Sequence, residues 1–562
     1  MASYASVLGQ DIWRASEDHA EVSREKRVRL AYKRAKSICE KAAMSVKDVD
    51  ELSDRFFDAH KTGWTVHDTA VFTILTIHWN LCMGTIALFA RERADVQTLL
   101  EDLRQFRVCG EFMLTEVGHG LDARNLETAA TLQADGSFDL HTPSPDAAKA
   151  MPPSTPWGEI PRVAVVFARL IVEGIDRGIK PFLVRLCEAD QMCPGVTSRA
   201  LPTRVGARPL DHAITSFNHV RLEPSALLGT VKEARDPRRE FLSQIWRVSV
   251  GTLTISLSNV AMLRNCAYIA WKFSQDRLVS KDSAGGGQIS TLQFSTQFRP
   301  ILAAAVQAAV FDAYGTETAS LFRDQTLGFE VRHALATIFK ATIIEAAQPI
   351  VGELADRCGW RGLFAFNQIA ENMMAQRGNS VAEGDVLVLC IRLASEVLLG
   401  RYQIPPARDP DCLLAQHERR VWAEVRETAA QVAGTQARST AFNHHILPRC
   451  RALVVATGQR MAYEAAKASN DISPEVLALY QSTCVMAEPG YYCENGERMS
   501  DLFARHVHAV EAALPQLPSL LEAGDARSWV AAPISDRSRW EEFVNGLPAF
   551  RNDSQSETKC RL

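Results

Sequence analysis

The chain has 562 residues, 47% of them hydrophobic and 23% charged, ordinary globular values that exclude a disordered or collagen-like polymer. Lys and Arg total 62 against 66 Asp and Glu, a formal charge of −4, so no basic footprint for nucleic acid is present. At about 150 residues per domain the length accommodates roughly four domains, enough to bury ample core.

Residues 1–27 are charged and lack an apolar signal core, which argues against secretion. From Arg24 to about Leu103 apolar residues recur at three and four, which predicts helices. Within them, residues 71–90 carry no formal charge, long enough to span a bilayer. His78, Asn80 and Gly84 inside that stretch make a buried helix the better reading, so no membrane span is expected. Residues 106–232 change texture: 127–133 and 137–141 flank Asp135 and Gly136 as a hairpin, and 163–171 and 180–186 flank Gly174 and Gly178 as another. The charged run 233–240 reads as a hinge. Helical periodicity returns from Phe241 to about Leu399, broken by the glycine-rich loop 281–287 and a turn near Cys358. Pro405, Pro406 and Pro410 mark a linker, after which helices run to about Leu547 and a polar tail follows. The expected division is an N-terminal helical domain (1–105), a central β domain (106–233), a helical bundle (234–402), a second helical domain (413–547) and a polar tail (548–562).

The thirteen cysteines show no paired C-x-x-C spacing, which fits reduced thiols in a cytosol-like compartment and gives no zinc or redox site. His444 and His445 lack companion ligands, so no metal is expected. Gly118, Gly120 and Ala123 spell G-x-G-x-x-A, yet strand-like sequence follows where a dinucleotide fingerprint needs a helix to begin, and the Rossmann reading fails. A hydroxyl at Thr115 followed by two close glycines still lets a flat ring approach the backbone; a plain glycine-rich turn is an equal reading of the same residues.

A wider pattern goes further. The stretch 110–120, with Thr115, Glu116, Gly118, His119 and Gly120, followed by 126–131, resembles the flavin-contacting segment of acyl-CoA oxidases, a branch of the acyl-CoA dehydrogenase superfamily. In the same chain order, 194–197 and 217–224 look like the closing strands of that family's β domain. Residues 270–277 resemble its helix ending in Arg277, and 291–297 its glutamine-bearing helix. The stretches 358–363 and 383–385 are similar to its two active-site loops. The resemblance covers about residues 60–400 and extends more loosely over 480–502.

This resemblance implies a mainly α fold with a β-barrel-like middle domain, a helical bundle over FAD and an extra C-terminal helical domain. It implies oxidation of the Cα–Cβ bond of an acyl thioester, as in fatty acid beta-oxidation. Glu383 matches the base that takes the α-proton while hydride leaves for the flavin, and oxygen then yields hydrogen peroxide. A buried carboxylate is a stronger base; the alternative is an ordinary loop carboxylate before a helix that Asp385 caps. Thr115, Gly118 and Gly120 match the ring-contacting segment, and Gly359 lies in the other loop. Arg277 matches the residue at the FAD pyrophosphate, where a guanidinium fork suits phosphate oxygens; the alternative is a solvated helix end. Gln293 and Gln297, one turn apart, are expected to face one groove. Because the family's FAD is held largely by the other subunit, a homodimer is implied. The last residues, Cys560, Arg561 and Leu562, resemble the peroxisomal import tripeptide; a cytoplasmic enzyme is the alternative.

Three departures border substrate or flavin. Lys149, Ala150, Met151, Pro152 and Pro153 stand where the family has Lys-Trp-Trp-Pro-Gly, so an aromatic pair is lost and Pro153 has no N–H to donate. Residues 359–363 replace a Gly-Gly-His-Gly-Tyr loop, and Val386 replaces an Asn. They point to an unusual acyl thioester or a carboxylated natural-product intermediate. Three alternatives stay open: a dehydrogenase with another electron acceptor, a specialised flavin oxidase on a substrate without CoA, and a pseudo-enzyme.

Overall fold

Short polar residues set where the first helices begin. Ser23 opens α1 (Arg24–Ala42) by accepting from the Lys26 N–H, Ser53 opens α2 (Asp54–Lys61) from Phe56, and Asp68 opens α3 (Thr69–Thr76) from Ala70 and Val71. α3 runs into a π-helical segment, Ile77–Met83, and then α4 (Gly84–Ala90). This is the uncharged stretch, and it is a core helix: Leu75, Trp79, Cys82 and Ile86 have no exposed surface. A second helix, Phe329–Arg357, is also long and apolar enough to cross a membrane, and both are mostly buried within the protein. These statements come from a computed structural model that describes residues 4–14, 22–90, 93–281, 286–432 and 439–550; Cys560, Arg561 and Leu562 lie outside the described residues. After α4, α5 (Gln97–Arg104) leads into the β domain.

The central strand β5 (Arg162–Val172) pairs in parallel with β1 (Cys109–Met113) and β2 (Ala129–Leu132), and antiparallel with β6 (Ile175–Cys187). Its first half is buried residue after residue, as a strand covered on both faces must be. β2 turns through Asp135 and Gly136 into β3 (Phe138–His141), the hairpin expected from sequence, and β3 pairs with β9 (Val220–Leu222). Gly136 sits at φ +86°, which its missing Cβ permits. The β5–β6 hairpin turns one step earlier than the glycine spacing implies. Glu173 and Gly174 take the two positive-φ positions, and Ile175 and Asp176 are already paired. A second sheet orders β4 (Lys149–Pro153), β8 (His212–Phe217) and β7 (Val196–Ala200).

The charged run 233–240 is not a free hinge. Asp236 caps α6 (Pro237–Gln244), Glu240 pairs with the buried Lys180 ammonium, and Glu233 pairs with Arg177 at 3.0 Å. The 31-residue α7 (Trp246–Asp276) then forms the spine of the bundle, packed by α8 (Ser295–Arg323) and α9 (Phe329–Arg357). Between α7 and α8, β10 (Leu278–Ser280) and β11 (Gln288–Ser290) form a two-stranded hairpin on either side of the expected loop 281–287. α10 (Ile369–Val381) and α11 (Val386–Leu398) close the bundle. The C-terminal block contributes α12 (Leu413–Gln431), α13 (Cys450–Ala468), α14 (Pro474–Ala487) and α15 (Met499–Ala513). It shares the bundle's core: α13 packs on α8 and α9, with Gly458 lying so close to Thr342 that any side chain would overlap it.

Buried ions fasten the β domain. Arg162, with no exposed surface, sits between Asp211 at 3.1 Å and Glu111 at 3.4 Å and over the Tyr32 ring at 4.4 Å. Removing one partner of such a cluster strands the others in a dry interior. Arg162→Met is therefore expected to cost about 3–5 kcal/mol, read as a lower denaturant midpoint, while a Lys33→Met change at an exposed position leaves the midpoint in place.

Candidate active site

Glu383 lies in the tight loop between α10 and α11. Asp385 caps α11 by accepting from the Leu387 and Val388 N–H groups, which forces the chain to turn just before it. Glu383 is at φ +50° and Gly384 at φ +98°. A non-glycine residue there is strained and persists only where its surroundings over-determine it. Here they do. The Lys340 ammonium of α9 donates to the carbonyls of Ala382 and Gly384, each at 2.6 Å, and the Thr252 hydroxyl of α7 donates to the Glu383 carbonyl at 2.7 Å.

The carboxyl so aimed lies against the backbone of Gly251, where a Cβ would overlap its Oε2. That same oxygen accepts from Asn80 Nδ2 at 3.2 Å. Asn80 sits in the π-helical segment, whose wider turn displaces side chains from α-helical register, a frequent device at functional sites. Its Nδ2 also donates to the Arg247 carbonyl at 3.0 Å, and Arg247 Nε returns a bond to the Asn80 carbonyl at 2.9 Å. The residue as a whole is half-buried, and burial of the carboxyl pushes its pKa up to about 8, against the lowering pull of Lys340, Arg247 and Asn80. Burial likewise pushes Lys340 down, with Glu383 and Asp385 pulling it back toward the ammonium, so the two titrate as a coupled pair.

Thr115 follows β1 at the β-domain end. Its carbonyl accepts from the Ala150 N–H at 3.0 Å, and among the described residues no partner for its hydroxyl is seen. The segment is anchored from below. Lys149, with no exposed surface, donates to Glu116 at 2.9 Å and to the Phe167 carbonyl at 2.7 Å, while Glu116 accepts from the N–H groups of Glu127 and Thr128. Gly118 and Gly120 are exposed; a side chain at Gly118 would meet Asp146, and Gly120 faces open space. No helix begins at either, in line with the rejected dinucleotide fingerprint. Pro153 is buried and offers only its carbonyl, which Arg162 takes.

Arg277, Gln297 and Gly359 gather elsewhere, at the far end of α7. Arg277 is exposed and lines two adjoining clefts of about 400 and 280 Å³ with Phe273, Arg357, Gly359 and Arg361. The Arg361 guanidinium is pushed down by burial and by Arg277 beside it; with Arg357 and Arg537 they outnumber Asp276, Asp356 and Asp536 in the lining, a net positive charge suited to an anion. Gln297 is engaged within the chain, donating to Ser274 at 2.9 Å and to the Arg357 carbonyl at 3.0 Å. Gln293 does not join it. It ends the 3₁₀ turn Thr291–Gln293, before α8 begins, and lines a separate cleft with Trp271, Leu514 and Leu517. The expected shared groove is thus divided, because the helical register assumed between the two glutamines is broken at Phe294. Gly251 and Arg277 are 26 positions apart on or just past one helix, about 39 Å at 1.5 Å per residue. One chain therefore does not bring Glu383 and Arg277 to the same place.

Sequence reasoning missed Lys340, Thr252, Gly251 and Asn80. Lys340 left a trace: it is the one charged residue in 334–344, a run otherwise apolar or hydroxyl-bearing. Gly251 left none, since a lone glycine in a helix has many causes.

No protein-family model matches the chain. Human peroxisomal acyl-coenzyme A oxidase 3 is 27% identical over 426 residues, covering 70% of this chain and 59% of that protein. Peroxisomal acyl-coenzyme A oxidase 1 of Arabidopsis thaliana is 25% identical over 405 residues, covering 68% and 60%. The match thus spans less than two thirds of these relatives' length. Acyl-CoA oxidase1 from Yarrowia lipolytica superposes with a TM-score of 0.82 at 16% identity, over 99% of this chain and 93% of that one. Caenorhabditis elegans acyl-CoA oxidase-1, solved with FAD and ATP, gives 0.75 at 18% identity, over 93% and 86%. The chain has the acyl-CoA oxidase fold and is a divergent relative of those proteins.

Gly251→Ala tests the carboxyl's seat. The added methyl group displaces Glu383 and presses on Asn80 Nδ2 at 2.8 Å, an overpacking that costs about 1–3 kcal/mol. The variant is expected to fold with a lowered melting temperature, and a structure of it should show the Glu383 side chain turned off α7.

Proposed function

We propose that this protein is an FAD-dependent oxidoreductase of the acyl-CoA oxidase type, which removes the α-proton and β-hydride of an acyl thioester to give the 2-enoyl product. The observation that carries the reading is the buried Glu383 carboxyl, held against Gly251 with a raised pKa. A carboxylate deprived of water is a base matched to a weakly acidic carbon once it loses its proton.

The chain's donor set fits FAD in most respects. Thr115 has a hydroxyl without a partner among the described residues, Gly118 and Gly120 keep a backbone surface open, and Arg277 and Arg361 present guanidinium groups to a cleft. Pro153 fits less well, since its nitrogen has nothing to donate. When bound, the flavin supplies the hydride acceptor and hands the electrons to oxygen, giving hydrogen peroxide. Glu383 takes the α-proton at its carboxyl. Asn80 orients that carboxyl, and Lys340 and Thr252 keep the loop from relaxing to an unstrained conformation. Because Gly251, against which the Glu383 carboxyl lies, and Arg277 stand about 39 Å apart along one helix, we read Arg277, Gln297 and Gly359 as serving the cofactor of a second copy, which makes the enzyme a homodimer. Exposed Trp360, Leu363 and Phe364 beside Gly359 give that contact an apolar surface. Gln293 is assigned to the rim of the same interface. The peroxisomal names of the relatives support that compartment. Ala150 and Met151 in place of the aromatic pair support an acyl group other than a plain fatty chain.

Two measurements test the function. Purified protein is expected to be yellow, to bleach anaerobically with an acyl-CoA from a panel of chain lengths and to consume oxygen when air is admitted. Turnover that reduces an electron-transfer dye but takes up no oxygen would mean a dehydrogenase. Glu383→Gln is expected to keep its flavin absorbance and lose about 10²- to 10⁴-fold in kcat. In the parent, kcat/KM is expected to rise with pH through about 8, since only the deprotonated carboxylate is a base. An acidic limb below pH 6 would show that the carboxyl is not buried in the working enzyme.

A further inference from the structure

We propose that Lys340 is the positioning residue of this site: by gripping the carbonyls on both sides of Glu383 it fixes the carboxyl over Gly251, and its charge sets the pH range in which that carboxyl is a base. This rests on Glu383 being the base.

The geometry is specific. Lys340 projects from the middle of α9 as the one charged residue in 334–344 and has no exposed surface. Its Nζ makes two hydrogen bonds, both to main-chain carbonyls, both at 2.6 Å, to Ala382 and Gly384. The carbonyl between them is held by Thr252 from the opposite side. Three successive carbonyls of one loop are therefore pinned by two helices, and the strained residue is the middle one. A purely structural lysine is rarely left without water or a directly bonded carboxylate, since its desolvation is costly. Burial disfavours the ammonium, but two carbonyl acceptors and the Glu383 carboxylate itself favour it, so once Glu383 has lost its proton a positive charge stands behind it without bonding its carboxyl. That leaves the carboxyl free to accept a proton from substrate.

The other charges around the pair are few. Arg247 of α7 faces the Glu383 carboxyl and has Asp50 behind it; Asp385 in the loop and Cys390 on α11 face Lys340. Arg247 donates to the Asn80 and Val49 carbonyls, so it is tied to the π-helical segment rather than to the loop. Of the two cations, Lys340 alone couples charge at the base to the shape of the loop that carries it.

The test uses holoenzyme with Lys340→Met, a change that keeps the stem and removes charge and donors, and with Lys340→Arg. Loss of the cation should raise the acidic limb of kcat/KM by about one pH unit or more, lower kcat about tenfold or more and speed amide hydrogen exchange in residues 382–389 about tenfold. Lys340→Arg should keep the limb at its parental position, because its charge is retained, while kcat falls, because a guanidinium does not seat between the two carbonyls. A Lys340→Met enzyme whose limb overlays the parent's overturns the proposal, even if exchange quickens, because that marks a structural role only. If Lys340→Met yields no folded protein, Lys340→Arg decides: parental kcat and exchange overturn the proposal. Glu383→Gln in the same assay separates the two readings. If it stays active, the base is wrong; if it is inert while Lys340→Met behaves like the parent, only the role of Lys340 fails.

Discussion

Everything about the candidate site follows from keeping one short loop in a conformation it would not choose. Two left-handed residues in succession, one of them a glutamate, are unfavourable by about 1–3 kcal/mol for the non-glycine position. Donors placed on two different helices offset that, at the carbonyls of Ala382, Glu383 and Gly384. The consequence is that the loop is only as well placed as the packing of α7 against α9. The bundle's large shared core thus has a chemical role: any slide of one helix past the other would release one carbonyl while crowding its neighbour.

The spine helix α7 also separates functions. Its first turns carry Arg247, Gly251 and Thr252, all directed at Glu383 or at the segment holding Asn80. Its last turn delivers Phe273, Ser274 and Arg277 to the cationic clefts. A rigid 31-residue rod fixes these two groups at opposite ends, so a dinucleotide that needs both must draw them from two copies of the chain. In this reading the long helix is the reason the proposed enzyme is incomplete as a monomer.

Much of the scaffold is legible in the sequence because it is written in local signals. The Asp135 and Gly136 turn, the apolar run 163–168 of β5 and the cap at Asp385 each act within a few residues. The misreadings share one cause, which is long-range pairing. The run 233–240 looks like a hinge when its charges are read as solvated, whereas Glu240 and Glu233 meet Lys180 and Arg177 on a distant strand. Helical spacing puts Gln293 and Gln297 on one face, but the chain is not α-helical between them. Within the site, Glu383 and Arg277 are reached through motif resemblance. Lys340, Thr252, Gly251 and Asn80 need coordinates, since each acts on a residue more than 40 positions away in the chain.

The departures from the oxidase pattern sort themselves by where they sit. Lys149 is retained, and it is the member of its motif that works inside the fold. It holds Glu116, and through it the segment bearing Thr115, in a dry pocket. Ala150, Met151 and Pro153, which replace the motif's remaining variable positions, have no comparable ion pair; Met151 is exposed, and only its carbonyl is held, by His212 at 2.9 Å. The same division runs through the Glu383 loop, where Gly384 and Asp385 keep the turn and cap while Val386, buried at the head of α11, replaces an amide. The changed positions thus include an exposed one, Met151, and buried ones, Pro153 and Val386, while the residues that hold the two segments in place stay. A chain that had abandoned chemistry would have no reason to keep a strained glutamate pinned at three carbonyls, whereas a chain that had moved to a new acyl group would keep that device and alter what surrounds it.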